Sequence, residues 1–228
     1  MEKIQSLTGM MDLIENKANK ADTANGIFYT EHILKDIFET YSISEIRTPA
    51  LEDSSLFKRS VGDTSDIVNK ELYSFMDKND KSITLRPEGT ASVIRSIIEK
   101  KIDNESNKFW YLGPMWRYER PQKGRYRQFS QAGVEILGYS EGIAELEIVS
   151  IICSINKALG IENSILKINH LGDKESKEKY CIALKNFLMP LSSKLDEKDI
   201  QRLNTLSLIH ISEPTRRRGI SYAVFCLK

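Results

Sequence analysis

Cysteine and histidine are scarce in this 228-residue chain, three of each, and they are scattered. Cys153, Cys181 and Cys226 are too few and too far apart for a disulfide framework. His32, His170 and His210 are equally dispersed, so no zinc-binding spacing arises and no metal-ligating set is expected. Long apolar runs are missing as well. The longest, Ile148 to Ile155, is far too short to span a bilayer, which argues against a membrane protein. Neither sign of charge dominates: 33 basic against 32 acidic residues leave a net charge of +1, so any charge-driven partner must be sought locally. Met1-Glu2-Lys3 opens no secretory signal, and a reducing, cytoplasmic location is the expectation. Internal repeats and low-complexity tracts are also absent.

What is present is ordinary in bulk: 40% hydrophobic and 29% charged residues, enough for one large domain or two small ones. After a polar start, textured only at Leu7-Thr8-Gly9-Met10-Met11-Asp12, apolar residues recur at helical spacing from Ala24 to Tyr41. Glu45 to Glu52 reads as an extended segment, held to an edge or interface by Pro49, which cannot donate to a ladder. A short helix is expected over Ser54 to Val61, ending at Gly62, then strands over Leu72 to Met76 and Ser82 to Leu85 around a polar turn. Further helices are expected from Thr90, from a Ser140 cap to about Leu159, from an Asp173 cap to about Leu188, and from Asp196 to Asn204. Ser164 to Leu171 reads as a strand.

The stretch from Phe109 to Gly138 organises the rest. Two strand-like arms, Phe109 to Tyr118 and Arg127 to Leu137, flank a loop built around Pro121 and Gly124, an antiparallel hairpin. Arg117, Arg120, Lys123, Arg125 and Arg127 crowd onto it against only Glu119 and Glu135. Such one-sign clustering beside aromatics suits a polyphosphate or a nucleic-acid backbone. In the second arm Ala132, Val134 and Ile136 can face a core, while Phe129, Gln131, Gly133 and Glu135 share the opposite face. A ring, an amide, a gap and a carboxylate in a row suit the floor of a pocket. A solvated sheet face with a basic turn fits the same pattern equally well.

A second candidate is Thr84-Leu85-Arg86-Pro87-Glu88-Gly89-Thr90, where strand gives way to helix. Pro87 holds Arg86 extended, and Gly89 lets backbone approach a ligand closely. Glu88 and Thr90 can point into a cleft. They can equally be a favourable charge and a cap at the helix start. From Ser207 onward the chain, with Arg216-Arg217-Arg218, has neither helical period nor a clear place in a sheet. It resembles read-through of a sequencing adapter joined after about Thr205, which leaves 1–205 as the folded portion and 206–228 as a tail outside it.

Arg117-Tyr118-Glu119-Arg120-Pro121-Gln122-Lys123-Gly124-Arg125-Tyr126-Arg127-Gln128-Phe129 resembles motif 2 of the histidyl-tRNA synthetases, class II aminoacyl-tRNA synthetases. Thr84 to Ala91 resembles their amino-acid-binding segment, Ile46 to Phe75 their motif 1, and Leu7 to Asp12 their N-terminal signature. The resemblance covers about residues 4–205, and a thirteen-residue match at the hairpin leaves little room for coincidence.

The resemblance implies an α+β fold, the class II antiparallel sheet flanked by helices, incomplete at the C-terminal end. It implies a homodimer joined around Pro49, activation of L-histidine with ATP and Mg²⁺, and transfer of the histidyl group to the 3′ end of tRNA(His). By the same resemblance Arg117 contacts the α-phosphate and the histidine carboxylate as the catalytic residue, and Arg125 engages the outer phosphates. Phe129 stacks under adenine, with Glu119 beside the adenine amino group. Glu88, Gly89, Thr90, Gln131 and Glu135 bind histidine, and Arg120, Gln122 and Lys123 approach the tRNA acceptor stem.

Thr8 stands where the family usually has arginine, and Ser130 where it usually has histidine. The chain also stops before the family's second histidine-binding segment, its downstream catalytic arginine, motif 3 and the anticodon-binding domain. An alternative of another class is the histidine-binding regulatory subunit of ATP phosphoribosyltransferase, which shares the fold. Those paralogues tend to erode the basic loop that is intact here from Arg120 to Arg127.

Overall fold

The computed structural model describes residues 4–16, 23–61, 71–103, 105–120, 122, 124–139, 142–168, 174–190 and 224–227. The chain divides into two units, one of residues 1–164 with 223–228 and one of 165–222. Lys123, Gly62, the caps expected at Ser140 and Asp173, the helix expected over 196–204 and most of the tail lie outside the described residues.

In the first unit, helix α1 (Thr23–Thr40) forms where apolar residues fall three and four apart, and its inner side is dry: Leu34 and Phe38 are each 1% exposed. The chain turns at Ser42, and β1 (Ser44–Glu45) runs parallel to β5 (Asn107–Trp116). β5 pairs antiparallel with β6 (Gln128–Leu137) over ten residues, and β6 pairs antiparallel with β7 (Val224–Leu227). The sheet order is β1-β5-β6-β7, antiparallel except at the β1 edge. The residues of β7 fall in the segment that the sequence alone sets apart as a tail.

A second sheet, in the order β2-β4-β3, is wholly antiparallel: β2 (Leu51–Asp53), β4 (Ser82–Leu85) and β3 (Tyr73–Met76). The single extended segment expected over 45–52 is therefore two edge strands in different sheets. Pro49, with no N–H to give to either ladder, lies at the crossing between them. Helix α2 (Ser54–Val61) follows β2 directly, and the Ser54 hydroxyl lies 2.7 Å from Thr84 Oγ1, as does that of Ser74.

Helix α3 (Thr90–Lys100) and helix α4 (Ile143–Ala158) cover opposite faces of the β5–β6 hairpin. Ala132 and Trp110 pack with Leu34, Phe38, Ile43, Ile151 and Ile155, on the side of α1 and α4. Tyr111, Met115 and Phe129 pack with Val93 and Ile97 of α3. The two-residue alternation thus feeds two cores. α4 is capped two residues later than expected, at Gly142, whose N–H is accepted by Glu145 Oε2 at 2.7 Å.

Residues 164–168, the described part of the strand expected over Ser164 to Leu171, lie outside any strand, and in the second unit Ile165 and Ile168 are 83% and 77% exposed. Helix α5 (Lys174–Leu188) carries a Lys179–Glu175 ion pair one turn apart at 2.6 Å.

Candidate active site

Register determines which side chains meet. Because Gly133 lies opposite Tyr111, Gln131 opposite Gly113 and Phe129 opposite Met115, one face of the hairpin carries these residues with Glu135. Arg117 continues the same parity past the end of β5, where its N–H still bonds Arg127 O at 2.9 Å. Its Nε donates to Pro87 O at 2.9 Å, and its guanidinium carbon stands 5.1 Å from the centre of the Phe129 ring. The two terminal nitrogens make no hydrogen bond with the described residues, which leaves the guanidinium fork presented to a ligand.

The Thr84–Thr90 segment arrives on this face from the second sheet. Glu88 caps α3: its carboxylate accepts from the Thr90 N–H at 2.6 Å and the Ala91 N–H at 3.0 Å. Thr90 is not the cap. Its hydroxyl donates instead to Glu135 Oε1 at 2.7 Å, so Thr90 ties the helix start to β6. Burial pushes the Glu135 carboxyl above its ordinary value, the Thr90 hydrogen bond opposes that, and the nearby Glu88 adds to it. Gln131 is 2% exposed and its Oε1 accepts no hydrogen bond from the described residues. Glu88, Thr90, Gln131, Glu135 and Arg117 therefore come together on one face.

The gap expected at Gly133 is not open. A Cβ there would lie 2.3 Å from the Tyr111 ring, and a Cβ at Gly89 would lie 2.2 Å from it. Both glycines make room for Tyr111, so what approaches the Gly89 backbone here is a side chain of the protein. Phe129 is likewise only 7% exposed, and an adenine stacked on it would share the ring with Arg117.

The basic loop is partly committed to its own fold. Arg127 lies over the Tyr118 ring at 4.1 Å, and its Nε donates to Glu119 O at 3.3 Å. Arg125 Nη1 stands 3.4 Å from Glu119 Oε2, a charge pairing too oblique to count as a hydrogen bond. Gln122 and Arg125 close a turn at 2.8 Å, with Gly124 at a φ of 78° that few other residues adopt. Arg120, Gln122 and Arg125 are exposed.

Sequence reasoning missed two anchors. Gly9 O accepts from the Arg127 and Gln128 N–H groups at 2.7 and 3.1 Å, docking the N-terminal segment on the start of β6. Arg86 is 9% exposed and donates to Thr48 and Pro114. An arginine on an otherwise apolar strand end was the only available signal for the second. On the other face of the hairpin, Phe28, Glu31, Arg47, Pro114 and Ser130 help line a groove of about 540 Å³. Burial there raises the Glu31 carboxyl, with the Ser130 hydroxyl opposing. Ser130 thus points away from Arg117, as alternation requires. No helix among the described residues is long and apolar enough to cross a membrane.

Comparison with known proteins places these residues in context. The family model described as "Histidyl-tRNA synthetase" matches residues 10–222. The histidine--tRNA ligase of Francisella philomiragia is 44% identical over 207 residues, which are 90% of this chain and 47% of that protein. The crystal structure of apo S. aureus histidyl-tRNA synthetase superposes with a TM-score of 0.68 at 34% identity, covering 89% of this chain and 47% of that one. A structure titled ATP phosphoribosyltransferase regulatory subunit/histidyl-tRNA synthetase, from Bacillus halodurans C, gives a TM-score of 0.59 at 20% identity, covering 97% of this chain and 62% of that one, a likeness of fold alone. The chain spans about half the length of the curated relatives it matches.

Proposed function

Because the chain belongs to the histidyl-tRNA synthetase family, we propose that it supplies the motif 2 part of an active site that activates histidine with ATP and charges tRNA(His). The observation that carries this reading is Arg117: a guanidinium pinned at Nε by Pro87 O, its terminal nitrogens without a partner among the described residues, on the hairpin face that also carries buried Gln131 and half-buried Glu135.

In-line attack by the histidine carboxylate on the α-phosphate forms histidyl-adenylate and expels pyrophosphate. Negative charge grows on the non-bridging oxygens, where a fixed guanidinium stabilises the transition state more than the ground state. Arg117 fills that role. Gln131 Oε1, buried and without a donor among the described residues, and the carboxylates of Glu88 and Glu135 suit the ammonium and imidazole of histidine. Arg125 reaches the outer phosphates by giving up its loose pairing with Glu119, and Glu119 is then available to the adenine amino group. Exposed Arg120 and Gln122, with Lys123 between them and Arg125, suit phosphates of the tRNA acceptor stem. Mg²⁺ enters as the counter-ion of ATP. No three metal-ligating side chains converge among the described residues, so no step is assigned to a protein-held ion.

In this reading the protein works in the cytoplasm as a homodimer joined around Pro49, and residues 1–205 belong to the catalytic domain. The genomic continuation past Thr205 decides the status of 206–228. The regulatory-subunit alternative is less favoured, because the loop from Arg120 to Arg127 keeps its cations and the curated relatives are ligases. The test is ATP–pyrophosphate exchange by the full-length protein. Exchange that depends on histidine is expected; histidine binding without exchange favours the regulatory reading.

A further inference from the structure

Arg86 lies where the two sheets meet and takes part in five hydrogen bonds. Its N–H donates to Ala50 O at 2.9 Å and its carbonyl accepts from the Trp116 N–H at 3.1 Å. Its Nη1 donates to Thr48 O at 2.8 Å and to Thr48 Oγ1 at 2.9 Å, and its Nε to Pro114 O at 3.2 Å. One residue thus fixes the Thr48–Ala50 crossing, the end of β4 and the end of β5 to one another. A buried arginine is costly to keep: burial lowers its proton affinity, with Glu52 the first of the groups that oppose this. Glu52 is itself shared, accepting from Arg95 of α3 at 2.7 Å. The space around Arg86 is also close-fitted, since a Cβ at Gly113 would come within 3.0 Å of Nη2.

The next residue is Pro87, whose ring fixes φ and leaves ψ as the one backbone torsion between the held Arg86 and the direction of the Pro87 carbonyl. That carbonyl is the acceptor for Arg117 Nε at 2.9 Å. We propose that Arg86 is a positioning residue: it clamps Thr48 and Pro114 so that the Pro87 carbonyl aims the Arg117 guanidinium at the reacting phosphate. A lysine at this position keeps the charge but cannot reach Thr48 and Pro114 with a planar fork. The chemistry assigned to Arg117 rests on the reading above; the clamp itself does not.

Two measurements test it. A crystal structure of the full-length Arg86→Lys protein, which requires no activity, is expected to show the Arg117–Pro87 hydrogen bond lost. Its persistence at about the same length, within ordinary hydrogen-bond range, overturns the proposal even if the enzyme proves inactive. The second is a double-mutant cycle in histidine-dependent ATP–pyrophosphate exchange, with active sites titrated so that unfolded protein does not count. Arg86→Lys is expected to lower kcat about 10- to 100-fold, with KM for ATP and histidine changed far less. In an Arg117→Ala background the same change is expected to cost no more than about twofold, because its route to the phosphate is already gone. An equal loss in both backgrounds, or no loss in either, overturns it. If Arg86→Lys does not fold, Thr48→Val, which deletes one acceptor, and Gly113→Ala, which crowds Nη2, are put through the same cycle with the same two outcomes.

Discussion

The two faces of the β5–β6 hairpin are built from the same strands and have opposite contents. One presents Trp110, Leu112, Ala132 and Val134 to α1 and α4, and its buried members are apolar. The other begins just as apolar, with Tyr111, Met115 and Phe129 against α3, and then turns polar at Gln131, Glu135 and Arg117. The first face carries one such group at its rim, the Glu31 carboxyl, which burial raises while the Ser130 hydroxyl opposes the rise. Among the described residues, the second retains a buried amide oxygen without a donor, a carboxyl raised by burial, and a guanidinium tied at one nitrogen only. Unmet polar groups are expensive to bury, and their concentration on one side is what distinguishes a site from a core.

Substitutions can sharpen that contrast, beginning with the apolar face. Ile155, fully buried among Leu34, Phe38 and Trp110, is expected to cost about 2–5 kcal/mol of stability as Ile155→Ala, read from the denaturant midpoint. Its exchange rate per titrated active site is expected to stay within about twofold of wild type, since distant sites rarely couple. On the polar face, Gly133→Ala drives a methyl into the Tyr111 ring. That overpacking is expected to cost about 1–3 kcal/mol and, unlike the first change, to lower histidine affinity as well.

The smallest effect concerns pH. The folded Glu135 carboxyl holds its proton to a higher pH than the unfolded one, because burial opposes its charge. Between the two values the native state binds more protons, so its contribution to stability is full below the unfolded value and is lost as pH rises through the raised one. Glu135→Gln is expected to remove that decline, measured as a smaller difference between denaturation midpoints at pH 4.5, the ordinary value for the group, and pH 7. An unchanged difference would show that Glu135 does not titrate in the window.

Much of this contrast was legible in the residues. The alternation from Phe129 to Ile136 separated the two faces, the helix from Ser54 to Val61 has the expected bounds, and the turn after Met76 is closed by Asp77 Oδ1 accepting from Asn79 and Lys81. What stayed hidden depends on partners distant in sequence. Tyr111 fills the space above Gly133 only because register sets them opposite, and it reaches Gly89 only because the second sheet delivers that loop. Pattern alone could make Gly89 a ligand contact but could not show the ring already against it. Likewise Glu88 proves to be the cap and Thr90 the tie to Glu135, a division that local propensity cannot make. The split of 45–52 into two strands required pairing across 65 residues for β1 and 30 to 34 for β2, and Gly9 docking on Arg127 a contact across more than 100.

The central claim is that the polar face carries the chemistry through Arg117. Histidine-dependent ATP–pyrophosphate exchange by the full-length protein, wild type beside Arg117→Ala, tests it most directly. The expected result is a loss in kcat on the order of 10²–10³-fold in a variant that folds normally. A wild-type rate in that variant would contradict the account.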